Sequence, residues 1–95
     1  MKIVKTSNEL KAVLGNWKSD NPTGVVGLIP TMGALHEGHM TLLAAARETC
    51  DLVVVSVFVN PTQFNDAKDL ERYPRTEEAD AAMLASHQCD IMFLP

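Results

Sequence analysis

The side chains best suited to chemistry lie within ten consecutive residues, Pro30-Thr31-Met32-Gly33-Ala34-Leu35-His36-Glu37-Gly38-His39. His36 and His39 are three positions apart, so in the first turn of a helix they share a face. Two imidazoles on one face can donate hydrogen bonds to phosphate oxygens. Such donation strengthens as charge builds on a departing pyrophosphate, and a contact that strengthens along a reaction lowers its barrier. Gly33 suits a turn that a side chain would obstruct. Gly38 removes a Cβ where a phosphate or a flat ligand could approach the backbone. A helix starting here adds unpaired amides and the positive end of its dipole, both favourable to an anion. Zinc chemistry fits less well: the HExxH pattern needs histidines four apart, and His-Glu-Gly-His has no third ligand at a telling distance. The GxGxxG and GxxxxGKS/T phosphate loops are absent from the sequence.

These residues need elements to position them, and the hydrophobic pattern supplies candidates. Val25-Val26-Gly27-Leu28-Ile29 is a short apolar run ending in Pro30. Leu52-Val53-Val54-Val55-Ser56-Val57-Phe58-Val59 is longer, β-branched and closed by Asn60-Pro61. Its lack of alternation predicts a strand covered on both faces, as in a parallel sheet. Between the two runs, His36 to Thr49 carries Leu42, Leu43 and Ala46, with no Gly or Pro after Gly38. A strand, a helix and a strand follow, with a right-handed crossover. The histidine segment then leaves the carboxyl end of a strand, the edge where open α/β sheets bind ligands.

The flanking chain extends this pattern. Ile3-Val4 predicts a short first strand. Thr6-Ser7-Asn8-Glu9 resembles a capping box, in which a hydroxyl and a carboxylate three residues apart satisfy two helix-end amides. Leu10, Val13, Leu14 and Trp17 then recur at helical spacing, and Asn21-Pro22-Thr23-Gly24 stops the helix. Residues 60–74 read as a loop with one short helix at Asp69-Leu70-Glu71-Arg72. Thr76 is expected to cap a further helix, with Glu77 and Glu78 at its positive end and Ala79, Ala82, Met83 and Ala85 forming a face of small residues. Ile91-Met92-Phe93-Leu94 is a third apolar run, reaching Pro95. An α/β domain does not normally stop at the tip of a core strand, so the sequence is expected to be truncated.

Composition limits the partners. A chain of 95 residues suits one domain at most, and 46% apolar residues is an ordinary globular share. Twelve acidic against eight basic residues leave a net charge of −4. No Lys/Arg cluster is available to replace counterions along a nucleic acid, although a single nucleotide needs none. Cys50 and Cys89 form no CxxC pair or metal-ligand spacing and read as reduced residues of a cytoplasmic protein. The first residues, Met1-Lys2-Ile3-Val4-Lys5, do not form a signal peptide. No apolar run approaches the roughly 18 residues of a membrane span.

HxGH at a strand-to-helix junction resembles the nucleotidylyltransferase superfamily, which includes the class I aminoacyl-tRNA synthetases. The longer PTMGALHEGH is similar to the pantothenate synthetase family. The match runs on through Val54-Val55-Ser56-Val57-Phe58-Val59-Asn60-Pro61-Thr62-Gln63-Phe64, Asp69-Leu70 and Tyr73-Pro74-Arg75-Thr76, with Thr62 where the family often has Met. Resemblance covers about residues 25–95, and the first helix also fits. It implies a Rossmann-like α/β fold, a parallel sheet with flanking helices. Residues 1–95 would be the amino-terminal part of an ATP- and pantoate-binding domain whose remainder is absent.

The implied reaction is the ATP-dependent condensation of pantoate with β-alanine through pantoyl adenylate. By resemblance, Met32, Gly33, Ala34, Leu35, His36, Glu37, Gly38 and His39 line the ATP site. His36 and His39 contact phosphates as the catalytic pair. The family usually gives His39 a proton-donor role, although hydrogen-bond donation to developing charge would produce the same loss on mutation. Gln63 and Asn60 would bind pantoate and lie near β-alanine, with Met32 and Phe64 as an apolar wall. Mg²⁺ should accompany ATP; its protein ligands are not assigned, Asp80 being an outlying candidate. Tyr73 and Arg75 are expected to brace the loop, and His87 to be exposed. A homodimer is the expected assembly of the parent enzyme. The family's later Lys and Asp, its KMSKS-like loop and its small second domain fall outside this chain, so the 95 residues alone are expected to be inactive. Two other readings remain: a non-catalytic nucleotide- or pantoate-binding module, and another HxGH adenylyltransferase. Gln63-Phe64 after Asn60-Pro61 argues against the second.

Overall fold

The computed structural model describes residues 1–59 and 76–95. In chain order these form β1 (Lys2–Val4), α1 (Ser7–Asp20), β2 (Val26–Thr31), α2 (Glu37–Thr49), β3 (Leu52–Val57), α3 (Glu77–Ser86) and β4 (Ile91–Phe93). Asn60, Gln63, Phe64, Tyr73, Arg75 and the expected short helix at 69–72 lie outside the described residues.

The four strands make one sheet in the order β1-β4-β3-β2, and every pairing is parallel. The expected strand–helix–strand unit is β2-α2-β3, with Val26 opposite Leu52 and Thr31 opposite Val57. β3 is an inner strand, which explains its unbroken apolar run. Successive side chains point to opposite faces, and both faces are covered: Val53 is 0% and Val54 2% exposed. On one face, Val4, Leu52, Val54 and Ile91 pack against Leu10, Val13, Leu14 and Trp17 of α1. On the other, Ile29, Val53, Val55 and Met92 pack with Leu43 of α2 and Leu84 of α3.

Two local expectations need correction, and a third holds in its hydroxyl half. β2 does not stop before Pro30 but runs through it to Thr31. β2 is an edge strand of the described sheet, a position where a residue without an N–H is tolerated. At α1, Thr6 Oγ1 accepts from the Glu9 amide at 3.1 Å, the hydroxyl half of the expected box. Thr76 precedes α3 but does not cap it through its side chain. Its hydroxyl donates instead to Asp80 Oδ1 at 3.2 Å, which matters for the site. Both cysteines are free, and burial pushes the Cys89 thiol up from its ordinary value. Among the described residues, no helix is long and apolar enough to cross a membrane.

Candidate active site

The site begins where β2 ends. Thr31 Oγ1 donates to the Ser56 carbonyl of β3 at 2.9 Å and accepts from the Gly33 amide at 3.3 Å. The chain then turns through two left-handed residues, Gly33 at φ 87° and Ala34 at φ 51°. Glycine takes that conformation freely. Alanine gives up about 1 kcal/mol and holds it only where surrounding structure demands it. Here the demand comes from Asp80, in the first turns of α3. Its Oδ2 accepts from the Ala34 amide at 3.0 Å and its Oδ1 from the Leu35 amide at 2.9 Å. Successive amides in such a turn form a concave seat for an anion. The protein fills that seat with its own carboxylate, which is only 3% exposed. With the Thr76 hydroxyl, three donors converge on Asp80. The carboxylate thus serves as the clamp of the turn, its oxygens already engaged by protein donors.

The two histidines stand at the next corner, where each caps the helix for the other. His36 is the N-cap of α2, and its Nδ1 accepts from the Gly38 amide at 3.0 Å. The Nδ1 of His39 accepts from the His36 amide at 3.1 Å. The rings face each other with centroids 4.2 Å apart, tilted by 44°. A Cβ on Gly38 would lie 2.8 Å from His36 Cε1 and 3.0 Å from its Nδ1. Gly38 therefore makes room for the His36 ring, a reason for glycine that the sequence did not show. Burial lowers the His39 pKa below its usual value, the neighbouring His36 lowers it further, and Asp80 acts in the opposite direction.

This arrangement changes which donors the motif can offer. The expectation was a row of unpaired amides at the helix start. Instead the amides of Ala34 and Leu35 bind Asp80, those of His36 and Gly38 bind imidazole Nδ1 atoms, and that of His39 binds the His36 carbonyl at 3.0 Å. The imidazole Nε2 atoms stand outside these bonds. A cleft of about 410 Å³ opens beside the turn at the carboxyl edge of the sheet. Met32 and Gly33 line it, together with Lys5, Phe58, Thr76 and Glu77. The histidines stand at the start of α2, outside that lining.

Lys5 and Phe58 were not recognised in the sequence. Lys5 directly follows a parallel strand, a signal that was legible. Phe58 lies near the end of a mostly buried run yet is half exposed, and nothing in the run separates it from the core residues before it. Among the described residues, no group of three His, Cys, Asp or Glu side chains is placed to hold a metal ion.

Comparison with known proteins bears on this geometry. The family model described as pantoate-beta-alanine ligase matches residues 2–95. A pantothenate synthetase of Cereibacter sphaeroides is 54% identical over 93 residues, covering 98% of this chain and 33% of its own. One from Porphyromonas gingivalis is 53% identical over 95 residues, covering all of this chain and 33% of its own. The chain thus spans about a third of the length of the curated relatives it matches. The crystal structure of pantothenate synthetase from Thermus thermophilus superposes with a TM-score of 0.87 at 45% identity, over all of this chain and 32% of that one. A pantoate-beta-alanine ligase from Francisella tularensis, complexed with beta-gamma ATP and beta-alanine, gives 0.91 at 38% identity, over all of this chain and 35% of that one.

Proposed function

The chain belongs to the pantoate-beta-alanine ligase family, and from that premise we propose that it carries the ATP and pantoate half-site of an AMP-forming ligase. In the proposed reaction a pantoate carboxylate oxygen attacks the α-phosphorus of ATP. The bond from that phosphorus to the bridging oxygen breaks, and pyrophosphate leaves. The amine of β-alanine then attacks the acyl carbon of pantoyl adenylate, AMP leaves, and the amine nitrogen loses a proton. Residues 32–39 take the triphosphate side, with His36 and His39 donating to its oxygens. Met32, with Asn60, Gln63 and Phe64 from outside the described residues, takes pantoate and the approach of β-alanine. The Francisella relative, whose structure is a complex with beta-gamma ATP and beta-alanine, supports this choice of substrates.

One observation carries the reading: a parallel strand ends in a left-handed turn, clamped from beneath, that delivers paired imidazoles to a helix start beside a cleft. The described residues do not form a cage for Mg²⁺. The ion would come with ATP, held largely by phosphate oxygens and water. A cytoplasmic homodimer remains the proposed setting, and residues 1–95 the amino-terminal part of a Rossmann-like domain.

The test is to titrate ATP and pantoate separately against the chain, then assay AMP release with all three substrates. Saturable binding of ATP, lost in the His36→Ala/His39→Ala double variant, is the expected result, with little or no AMP formed by the 95 residues alone. Absence of binding, or binding untouched by the double variant, would overturn the assignment. Turnover at the rate of a full-length relative would refute the half-site reading.

A further inference from the structure

We infer that the reciprocal cap locks both site histidines as neutral Nε2–H tautomers, so that they act as fixed hydrogen-bond donors and neither serves as a proton donor. The tautomer half stands on the geometry alone, and the donor half rests on the function proposed above. A neutral imidazole has one N–H and one acceptor nitrogen, and the bond made by one nitrogen decides the state of the other. Nδ1 of His36 accepts from the Gly38 amide, and Nδ1 of His39 from the His36 amide. A backbone amide can only donate. Both Nδ1 atoms must therefore be bare, which places each ring's hydrogen on Nε2.

Protonation would require a hydrogen on Nδ1 and would break the cap bond at that ring. It would also bring positive charge beside a second ring whose centroid is 4.2 Å away. The charged and titratable groups acting on His39 are His36 within the cap and Asp80 from α3. The first disfavours the imidazolium and the second favours it, while burial disfavours it most. A group that donates a proton in catalysis must first carry the extra one, and here the resting ring is held without it. A fixed Nε2–H needs no transfer: it donates to a phosphate oxygen throughout, and more strongly as charge accumulates there.

The chain contains its own contrast. His87 Nδ1 lies 2.9 Å from the Met83 carbonyl, which can only accept, and 3.1 Å from the Ser86 hydroxyl, whose own hydrogen goes to that carbonyl at 2.8 Å. In its neutral form His87 is therefore the opposite tautomer, with the hydrogen on Nδ1. All three histidines of the sequence thus have assigned states, two of one kind and one of the other.

The experiment is a long-range ¹H–¹⁵N correlation of the histidine-labelled chain near pH 7.5, assigned with His36→Asn and His39→Asn. Expected are pyrrole-type Nε2 and pyridine-type Nδ1 signals for His36 and His39, and the reverse for His87. A pyrrole-type Nδ1 at either site histidine would overturn the lock. ATP is then added to the same sample. Movement of the His36 and His39 Nε2 signals without change of tautomer, and a still His87, supports the donor role. A ring that becomes imidazolium on ATP addition would overturn it. No movement at any ring, with the tautomers as stated, would refute ATP binding at these donors and leave the lock intact. Substitution separates the two ring nitrogens. His39→Gln keeps a donor near the Nε2 position, whereas His39→Asn keeps only an acceptor near Nδ1. Loss of one hydrogen bond to a charged oxygen corresponds to about tenfold or more. ATP affinity is accordingly expected to fall by about that much in His39→Asn and by clearly less in His39→Gln. Equal losses in both would count against the Nε2 donor.

Discussion

The two edges of the sheet both use aspartate to hold a turn, but in different surroundings. At the amino edge, Asp51 Oδ2 accepts from the Val25 amide at 2.8 Å, and Asp90 Oδ2 accepts from the Val53 amide at 2.8 Å. Asp90 also pairs with Arg47, and both side chains are about a third exposed, at 32% and 31%. At the carboxyl edge, Asp80 is buried and meets backbone amides and a hydroxyl. The amino edge joins neighbouring segments with partly solvated contacts, one of them charge-balanced, that need little precision. The carboxyl edge fixes a strained turn with a buried carboxylate. The difference teaches where the geometry of the site is stored. It resides less in the histidines than in the acid behind them, contributed by a helix 45 residues further along the chain.

That contrast can be broken most forcefully at Asp80. Replacing it with Ala leaves the Ala34 and Leu35 amides without their acceptor and releases the left-handed turn. A loss of about 3 kcal/mol is expected, from two buried donors at roughly 1–3 kcal/mol each with partial rescue by water. Urea unfolding followed by circular dichroism measures it, and Asp80→Asn should lose less because its oxygen still accepts one amide. A loss no greater than that of an Asp90 variant would abolish the distinction between the edges.

Gly33→Ala comes next. Its φ of 87° strains any side chain, and the new Cβ would lie 3.2 Å from Val57 Cγ1 and 3.3 Å from Asp80 Oδ2. About 2 kcal/mol should be lost, with weaker ATP binding, as read by thermal melts and titration calorimetry.

Arg47→Met sharpens the comparison from the other side. An ion pair about a third exposed contributes on the order of 1 kcal/mol or less, and salt screens it. The destabilisation should shrink between low and high salt, and ATP affinity should stay unchanged. A changed ATP affinity would show that the two edges are coupled.

The smallest effect is that of pH. His39 has a folded pKa below the ordinary 6.5, so below that pH the unfolded chain binds more protons than the folded one. Its contribution to stability is complete above pH 6.5. It declines as pH falls from there to the lowered folded value, and then levels off. Comparing urea midpoints of the parent and His39→Asn across pH 5 to 8 isolates the contribution, expected to be well under that of Arg47. A His39-dependent gain in stability on acidification would contradict the neutral cap.

Much of this molecule was legible in one dimension. The unbroken β-branched run of residues 52–57 and the helical stripe Leu10, Val13, Leu14 and Trp17 report burial directly, because periodicity follows from local backbone geometry. The parallel sheet follows from the same runs, since strands covered on both faces need helices between them. The histidine motif and its place at a strand end were equally plain, as was the family they resemble. The roles within the motif were not. Gly38 also clears space for His36; the amides of Ala34, Leu35, His36, Gly38 and His39 looked free and are engaged; Asp80 is the clamp of the turn.

The sequence by itself thus determined the elements, their burial and the chemical groups on hand, because each of those depends on residues within a few positions of one another. Only the tertiary structure decided that the amides of Ala34 and Leu35, in the turn before the histidines, are already engaged. A hydrogen bond depends on ångström-scale distance and direction between groups. Those are set when α3 packs beneath the turn after β2, a meeting of segments far apart in the chain that no local spacing encodes.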